Sequence, residues 1–280
     1  MYKIVYKKKL NPTVTLMEVE APFVAKKAEP GQFIILRVDS EGERIPLTIA
    51  DFDRNKGTIT IIFQIVGATT MKLNNLNEGE YIHDFVGPLG VPTETDGLKK
   101  VCIVGGGVGC AIAYPIAKKL HQLGCIVETI IGFRNKDLII LEEEFKKVSN
   151  KLTVMTDDGS YGDKGVVTLP LKQAIENGAN YDKVITIGPL IMMKFVVATT
   201  KPHGIPTTVS MNPIMIDGTG MCGGCRLSVG GKTKFACVDG PDFNGFEIDF
   251  DEAMSRNASY KDYENNQREK TCNLYKKEVK

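Results

Sequence analysis

The chain has 280 residues, 35 of them Lys or Arg and 34 Asp or Glu, for a formal net charge of +1. That balance leaves no electrostatic footprint for nucleic acid, and no apolar run is long enough to cross a bilayer. The length allows two cores and an appendage, and Met1-Tyr2-Lys3 opens directly into strand-like alternation, so the cytoplasm is the expected compartment.

Short apolar alternations recur early in the chain: Tyr2–Lys7, Val14–Glu20, Phe33–Val38 and Thr58–Ile65. Pro30-Gly31 and Asn55-Lys56-Gly57 punctuate them, and the pattern predicts a small antiparallel β-barrel over residues 1–98. Near Leu98 the rhythm changes. Lys100–Gly105 reads as a buried strand that runs into Gly105-Gly106-Gly107-Val108-Gly109 and then a helix over Cys110–Leu123. Strands are expected at Ile126–Gly132, Leu152–Thr156 and Lys183–Gly188, with helices at Leu138–Val148 and Leu169–Asn177. Strands alternating with helices predict a doubly wound α/β nucleotide-binding domain over residues 99–210. From about Ile205 that rhythm is lost. A cysteine-bearing segment, 211–252, follows, and then a charged tail, 253–280, read as a helix with a flexible end.

Within the cysteine segment, Asp217-Gly218-Thr219-Gly220-Met221-Cys222-Gly223-Gly224-Cys225 leads on to Cys237. The pattern is D-x4-C-x2-C-x11-C. Plant-type 2Fe-2S clusters use C-x4-C-x2-C and a more distant fourth cysteine, so a carboxylate stands here where the first thiolate belongs. The glycines let a short loop curl closely around a cluster and offer N–H groups to its sulfurs. Asp217, Cys222, Cys225 and Cys237 are therefore the candidate ligands. A structural zinc can also take paired cysteines, a later cysteine and an aspartate, and Asp217 can instead cap a turn. Cys102, Cys110 and Cys125 lie in apolar or Gly-rich surroundings expected of buried free thiols, and Cys272 falls in the charged tail.

A strand ending in three glycines and opening a helix lets the backbone approach a pyrophosphate at the helix N-terminus. Gly105, Gly106, Gly107 and Gly109 are the candidate contacts; Cys110 replaces the last glycine of G-x-G-x-x-G counted from Gly105, and a tightened strand–helix corner is the competing reading. No acidic residue stands clearly at the following strand end. Glu128 lies inside the strand, while Arg134, Lys136 and Asp137 follow it, so spacing does not separate NAD from NADP. Asp157, Asp158 and Gly159 fall at a carboxyl-end edge of the sheet, as does Gly188, where open α/β sheets bind ligands, an ordinary polar loop being the competing reading of 157–159. None of His83, His121 and His203 sits in a catalytic-looking constellation.

On these residues, over essentially the whole chain, the sequence resembles the ferredoxin–NADP reductase superfamily members that carry a C-terminal 2Fe-2S cluster. Two branches are similar. One is the electron-transfer subunit of dihydroorotate dehydrogenase, whose cluster motif has four cysteines. The other is the small subunit of NADH-dependent reduced ferredoxin:NADP oxidoreductase, also described as the sulfide dehydrogenase small subunit. Asp217–Cys225 and Val238-Asp239-Gly240-Pro241-Asp242-Phe243 are similar to the second branch, whose resemblance implies an Asp-plus-three-Cys cluster. It also implies FAD on the barrel. Arg44, Pro46, Leu47 and Thr48 resemble the first flavin element, with Arg44 against the pyrophosphate and the Thr48 hydroxyl near flavin N5. Gln64, Ile65, Val66, Gly67, Thr69 and Thr70 resemble the second, and Gly87, in Gly87-Pro88-Leu89-Gly90, the turn beneath the flavin.

By the same resemblance the cofactors are FAD, a 2Fe-2S cluster and NAD(H) in preference to NADP(H), and the activity is an electron-transferring oxidoreductase. No side chain is then required as a nucleophile; the protein positions and tunes its cofactors. The implied partner is a larger subunit resembling the glutamate synthase small subunit, with its own FAD and 4Fe-4S clusters, in an electron-bifurcating complex that also meets ferredoxin. Arg256 to Lys280 is a candidate docking element beside the reading of a solvated end. The dihydroorotate dehydrogenase subunit is the alternative, disfavoured by Asp217, and a nucleotide-binding zinc module or redox sensor is the alternative of another class.

Overall fold

A computed structural model describes residues 1–278; Val279 and Lys280, and the side chains of 268 and 271–278, Cys272 among them, lie outside the described residues. The first unit is built from β1 (Tyr2–Asn11), β2 (Val14–Glu20), a short α1 (Pro22–Lys27), β3 (Phe33–Arg37), β4 (Arg44–Asp53), β5 (Thr58–Gln64), α2 (Ala68–Asn75), β6 (Tyr81–Ile82) and β7 (Asp84–Leu89). Its seven strands form one antiparallel sheet in the order β6-β1-β2-β5-β4-β3-β7, curled into a nearly closed barrel. Alternation explains the register: Met17 and Val19 of β2 point inward with Ile61 and Ile59 opposite them on β5. Phe63 and Phe85 close the barrel core, each burial stabilising by roughly 2–3 kcal/mol.

The second unit contains β8 (Lys100–Gly106), α3 (Gly109–Gln122), β9 (Ile126–Phe133), α4 (Glu142–Val148), β10 (Lys151–Thr156), β11 (Asp163–Lys164), α5 (Thr168–Glu176), β12 (Lys183–Ile187), α6 (Leu190–Thr200) and β13 (Thr207–Ser210). Its sheet runs β11-β10-β9-β8-β12-β13, all parallel, with one antiparallel strand added beyond β13. The near-continuous apolar runs of β8 and β12 follow from burial on both faces. One expectation fails here. Leu138–Val148 is not a single helix: a 3₁₀ turn spans Lys136–Leu138, Leu141 sits at a left-handed φ of 59°, and α4 begins at Glu142. The apolar residues Leu138–Leu141 still pack onto the core, with Ile139 extended between the 3₁₀ turn and Leu141.

The third unit holds β14 (Arg226–Val229), β15 (Lys232–Phe235), α7 (Ala236–Asp239), β16 (Asp242–Asn244), α8 (Phe250–Ala258) and α9 (Lys261–Glu278). β16 is the strand added to β13, with Val209 paired to Phe243, so the cysteine segment is continuous with the nucleotide-type sheet. α8 starts before the boundary expected at 252/253, and Phe250 and Ala253 are buried in a core shared with Met193 and Val197 of α6. The segment read as a charged tail is thus helical to Glu278, with Ala253 at its start buried; α9 then lies beside α2. No helix among the described residues is long and apolar enough to cross a membrane.

The units are fastened to one another. Lys118 of α3 reaches both oxygens of Asp51 on β4, at 2.9 and 2.7 Å. Val14, Ala50 and Ile62 on the outside of the barrel join the core that α3 shares with β8 and β9.

Candidate functional site

The candidate residues fall into three groups on this framework. The first lies on the barrel strands flanking β3. Thr48 of β4 pairs with Phe33, and Phe33 pairs with Leu89 of β7, so the two motifs sit on either side of one central strand. Pro46 and Leu47 pair with Ile35 and Ile34 in the same ladder. Arg44 is exposed at the start of β4 and makes no ion pair among the described residues, so its guanidinium is available to an anion. Gly87 approaches β3 closely; a Cβ there would stand 2.7 Å from Ile34 Cγ2.

Gln64 ends β5, and Ile65 and Val66 lead to Gly67, the cap residue of α2. The Thr70 hydroxyl oxygen accepts the N–H groups of Val66 and Gly67, both at 3.0 Å, which fixes this turn. Thr69 Oγ1 donates to Glu43 Oε2 at 3.0 Å, joining the helix start to the residue before Arg44. The two barrel motifs therefore meet. Val66, 56% exposed, and open space at Gly67 leave apolar and backbone surface there for a bulky ligand. This arrangement fits a flavin dinucleotide with Arg44 at its phosphates.

The second group lies at the carboxyl ends of the parallel strands. Strand order reverses between β8 and β12, the switch point where such sheets form a crevice. Gly106 and Gly188 face each other there, a Cβ on Gly188 falling 3.2 Å from Gly106 Cα. Gly105 and Gly109 serve packing: Cβ atoms would meet Cys110 Sγ at 2.9 Å and the Ile187 carbonyl oxygen at 2.5 Å. Gly107 differs. Its φ is 55° and nothing lies within 4 Å of its Cβ position, so it faces open crevice.

Asp157, Asp158 and Gly159 follow β10 two strands away, all exposed. Asp158 Oδ1 accepts the Ser160 N–H at 2.9 Å, and the Ser160 hydroxyl and backbone hold its carboxyl below the usual range. Ser160 Oγ also accepts the Lys136 N–H at 2.9 Å, which brings the Arg134–Lys136 turn beside this loop. Glu128 is not part of the crevice. It lies toward the opposite end of β9, bonded to Tyr181 Oη at 2.5 Å and Lys100 Nζ at 2.9 Å.

The third group is the cysteine loop. The x11 spacing is a hairpin: Cys225 immediately precedes β14, Cys237 lies just after β15, and Gly230-Gly231 make the two-residue turn at φ of 57° and 74°. Arg226 pairs with Phe235, and the hairpin leaves Cys225 Sγ 3.2 Å from Cys237 Sγ, both buried. Burial, then the Cys225 thiol, push Cys237 up to about 12. Cys222 is exposed, and its sulfur accepts the Gly224 N–H at 3.4 Å. Asp217 Oδ2 accepts the Cys222 N–H at 2.7 Å and Oδ1 the Thr219 N–H at 2.6 Å; the Thr219 bond, then the Cys222 bond, hold this carboxyl below its ordinary range. The loop thus carries both the turn and the donor set. Among the described residues no three His, Cys, Asp or Glu side chains converge to metal-ligand distance, although Cys225 and Cys237 lie close together. Three thiols, a carboxylate and an amide pointed at sulfur are the donor chemistry of an iron–sulfur cluster, and they fit one.

The cysteine loop packs against the flavin-type strands. Gly218, Ile35 and Leu89 are in contact, and Phe33 and Ile35 share a core with Cys225 and Cys237. Nothing in the sequence announced this contact. The hairpin did have a signal: Val229-Gly230-Gly231-Lys232 is a turn flanked by strand formers.

Comparison with known proteins agrees with this geometry. Residues 212–249 match the family described as the iron–sulfur cluster binding domain of dihydroorotate dehydrogenase B. Over 262 residues the chain is 47% identical to a Thermotoga maritima protein named dihydroorotate dehydrogenase B (NAD+) electron transfer subunit homolog, covering 94% of this chain and 92% of that one. It is 56% identical over 269 residues to an uncharacterized protein from the adh 3′ region of Clostridium beijerinckii, covering 93% and 91%. A solved structure of the NADH-dependent reduced ferredoxin–NADP oxidoreductase, studied for flavin-based electron bifurcation, superposes with a TM-score of 0.91 at 45% identity, over 96% of this chain and 97% of that one. The chain belongs to the family of dihydroorotate dehydrogenase B-type electron-transfer subunits, oxidoreductase components with a ferredoxin-reductase-like fold and a C-terminal iron–sulfur binding domain.

Proposed function

We propose that this chain is the flavin- and cluster-bearing electron-transfer subunit of an NADH-dependent reduced ferredoxin:NADP oxidoreductase. One observation carries the reading: Asp217 stands in the first ligand place, in a chain that superposes at a TM-score of 0.91 on a reductase of that name. Its three units are residues 1–98 for the flavin, 99–210 for the nucleotide and 211–252 for the cluster. Bound there, the nicotinamide would supply two-electron hydride chemistry, and FAD with the cluster would supply one-electron chemistry.

The chain's own residues bind and orient. Arg44 would neutralise the flavin phosphates, the turn at Gly67 with Thr69 and Thr70 would seat the ribityl and phosphate region, and the Thr48 hydroxyl would stand near flavin N5. Gly106, Gly107 and Gly188 admit the nicotinamide dinucleotide at the switch point, with Asp157, Asp158 and Gly159 at its border. Asp217, Cys222, Cys225 and Cys237 hold the cluster. The partner would be a larger subunit with its own FAD and 4Fe-4S clusters, with ferredoxin as a further partner; the setting is cytoplasmic.

Copurification tests it. Anaerobically isolated protein should carry flavin and iron, no zinc, and a larger flavoprotein subunit. A dihydroorotate-oxidising partner would instead favour the dihydroorotate dehydrogenase reading, which the iron–sulfur family match at 212–249 supports.

A further inference from the structure

Asp242 lies five residues beyond Cys237 and 149 residues from Thr93, yet Thr93 Oγ1 donates to its Oδ2 at 2.6 Å. The two residues before it are bonded outward as well. The Gly240 carbonyl accepts the Val91 N–H at 2.6 Å, and the Pro241 carbonyl accepts the Met211 N–H at 2.9 Å. Three consecutive residues are thus tied to two separate segments. Val91 and Thr93 belong to the link that leaves β7 just after Gly87 and Leu89; Met211 ends the run through β13 and opens the cysteine segment.

The link is itself held from the barrel side. The Thr93 N–H donates to the Pro30 carbonyl at 2.9 Å, and Gln32 Nε2 donates to the Gly90 carbonyl at 2.9 Å. Thr93 is buried, as is Ser210, the cross-strand neighbour of Asp242. A part-buried hydrogen bond between distant segments has no local role in strand or helix formation, and it is expensive to leave half-made. What it fixes is the distance between the cysteine hairpin and β3 and β7.

We propose that Thr93 and Asp242 are a positioning pair that holds the cluster-binding hairpin at a set distance from the flavin-binding strands, and so governs electron transfer between the two cofactors. This rests on the functional reading above. Electron tunnelling falls steeply with separation, so a hinge at this junction would slow it without removing either cofactor.

The test compares Asp242→Ala, Thr93→Val and Asp242→Asn in the intact holoprotein. Amide exchange is read at Val91 and Met211, together with the magnetic coupling between reduced flavin and reduced cluster and the rate at which NADH reduces the cluster. Asp242→Ala should exchange roughly three- to tenfold faster at both amides, with weakened coupling and slower cluster reduction at unchanged iron and flavin content. Thr93→Val should move the same readouts in the same direction. Asp242→Asn keeps the acceptor oxygen for Thr93 and should keep the wild-type flavin–cluster coupling and rate of cluster reduction. The pair is overturned if Asp242→Ala leaves coupling unchanged, or if Asp242→Asn disrupts it as much as alanine does. Wild-type protein without iron or flavin would sink the functional reading and the electron-transfer half of the proposal, whereas the exchange comparison needs no cofactor and separates the two failures.

Discussion

Gly218 lies against Leu89, so the residue after the first candidate cluster ligand touches the turn assigned to the flavin. A Cβ on Gly218 would stand 2.7 Å from Leu89 Cδ1 and 2.7 Å from Ile35 Cδ1, and the residue has a φ of 77°. The left-handed φ calls for glycine, and the two terminal methyls would have to move aside for any side chain. Gly218→Ala should cost about 1–3 kcal/mol of stability and push the Asp217 end of the loop off β3 and β7. Thermal unfolding and the iron-to-protein ratio should fall together. An alanine variant with wild-type melting and full iron would show that this contact is not needed.

Asp217 carries a second prediction. Its two oxygens accept N–H groups of Thr219 and Cys222, so the carboxylate shapes the loop that also presents Cys222. A carboxylate ligand is harder than a thiolate and alters the charge distribution at iron. Asp217→Cys should retain a 2Fe-2S cluster while shifting its reduction potential and EPR spectrum; Asp217→Ala should lower iron content. Identical potential and spectrum in the cysteine variant would remove Asp217 from the ligand set.

What the sequence disclosed depends on the range of the interactions. β2, at Val14–Glu20, is read from alternation alone, because one face meets the barrel core and the other faces outward. Leu138–Val148 misleads because Leu138, Ile139 and Leu141 mimic helical spacing, while Leu141 takes a left-handed conformation that no residue type there signals. α6 escapes because Leu190–Thr200 is apolar on both faces: Ile191 and Phe195 are exposed while Met193, Val196 and Val197 are buried, so no polar face marks the period. The glycine turn and the cysteine spacing are local motifs and stand out. The contact of Gly218 with Leu89, and of Asp242 with Thr93, joins residues more than a hundred positions apart, and only the fold reveals it.

Asp242 also makes stability depend on pH. Burial raises its carboxyl above the ordinary range, opposed by the hydrogen bonds of Thr93 and Ser210 and by the charge of Lys183, itself paired with Glu94 at 2.7 Å. A folded-state pKa above the unfolded value means the folded chain keeps a proton that the unfolded chain has lost. Stability therefore falls as pH rises from about 4, the unfolded value, through the raised folded one. Asp242→Asn removes that slope. Its melting temperature should exceed wild type at neutral pH, and the gap should close toward about pH 4. A gap that stays constant with pH would place the titration elsewhere.

The glycine turn separates packing from ligand binding within three residues. At Gly109 an added Cβ would lie 2.5 Å from the Ile187 carbonyl oxygen and 2.8 Å from Gly188 Cα. Those are backbone atoms that move only with β12, so Gly109→Ala should cost on the order of 2–4 kcal/mol, read as lower thermal stability. At Gly107 the added methyl meets nothing within 4 Å, and the cost is the left-handed φ of 55°, about 1–2 kcal/mol. Yet Gly107 borders the crevice between β8 and β12, where a pyrophosphate needs the bare backbone. Gly107→Ala should therefore weaken NADH binding roughly tenfold, about 1.4 kcal/mol, while losing less thermal stability than Gly109→Ala. Titration with NADH decides it. Unchanged affinity in Gly107→Ala would mean that the three glycines only tighten a strand–helix corner and that the nucleotide sits elsewhere.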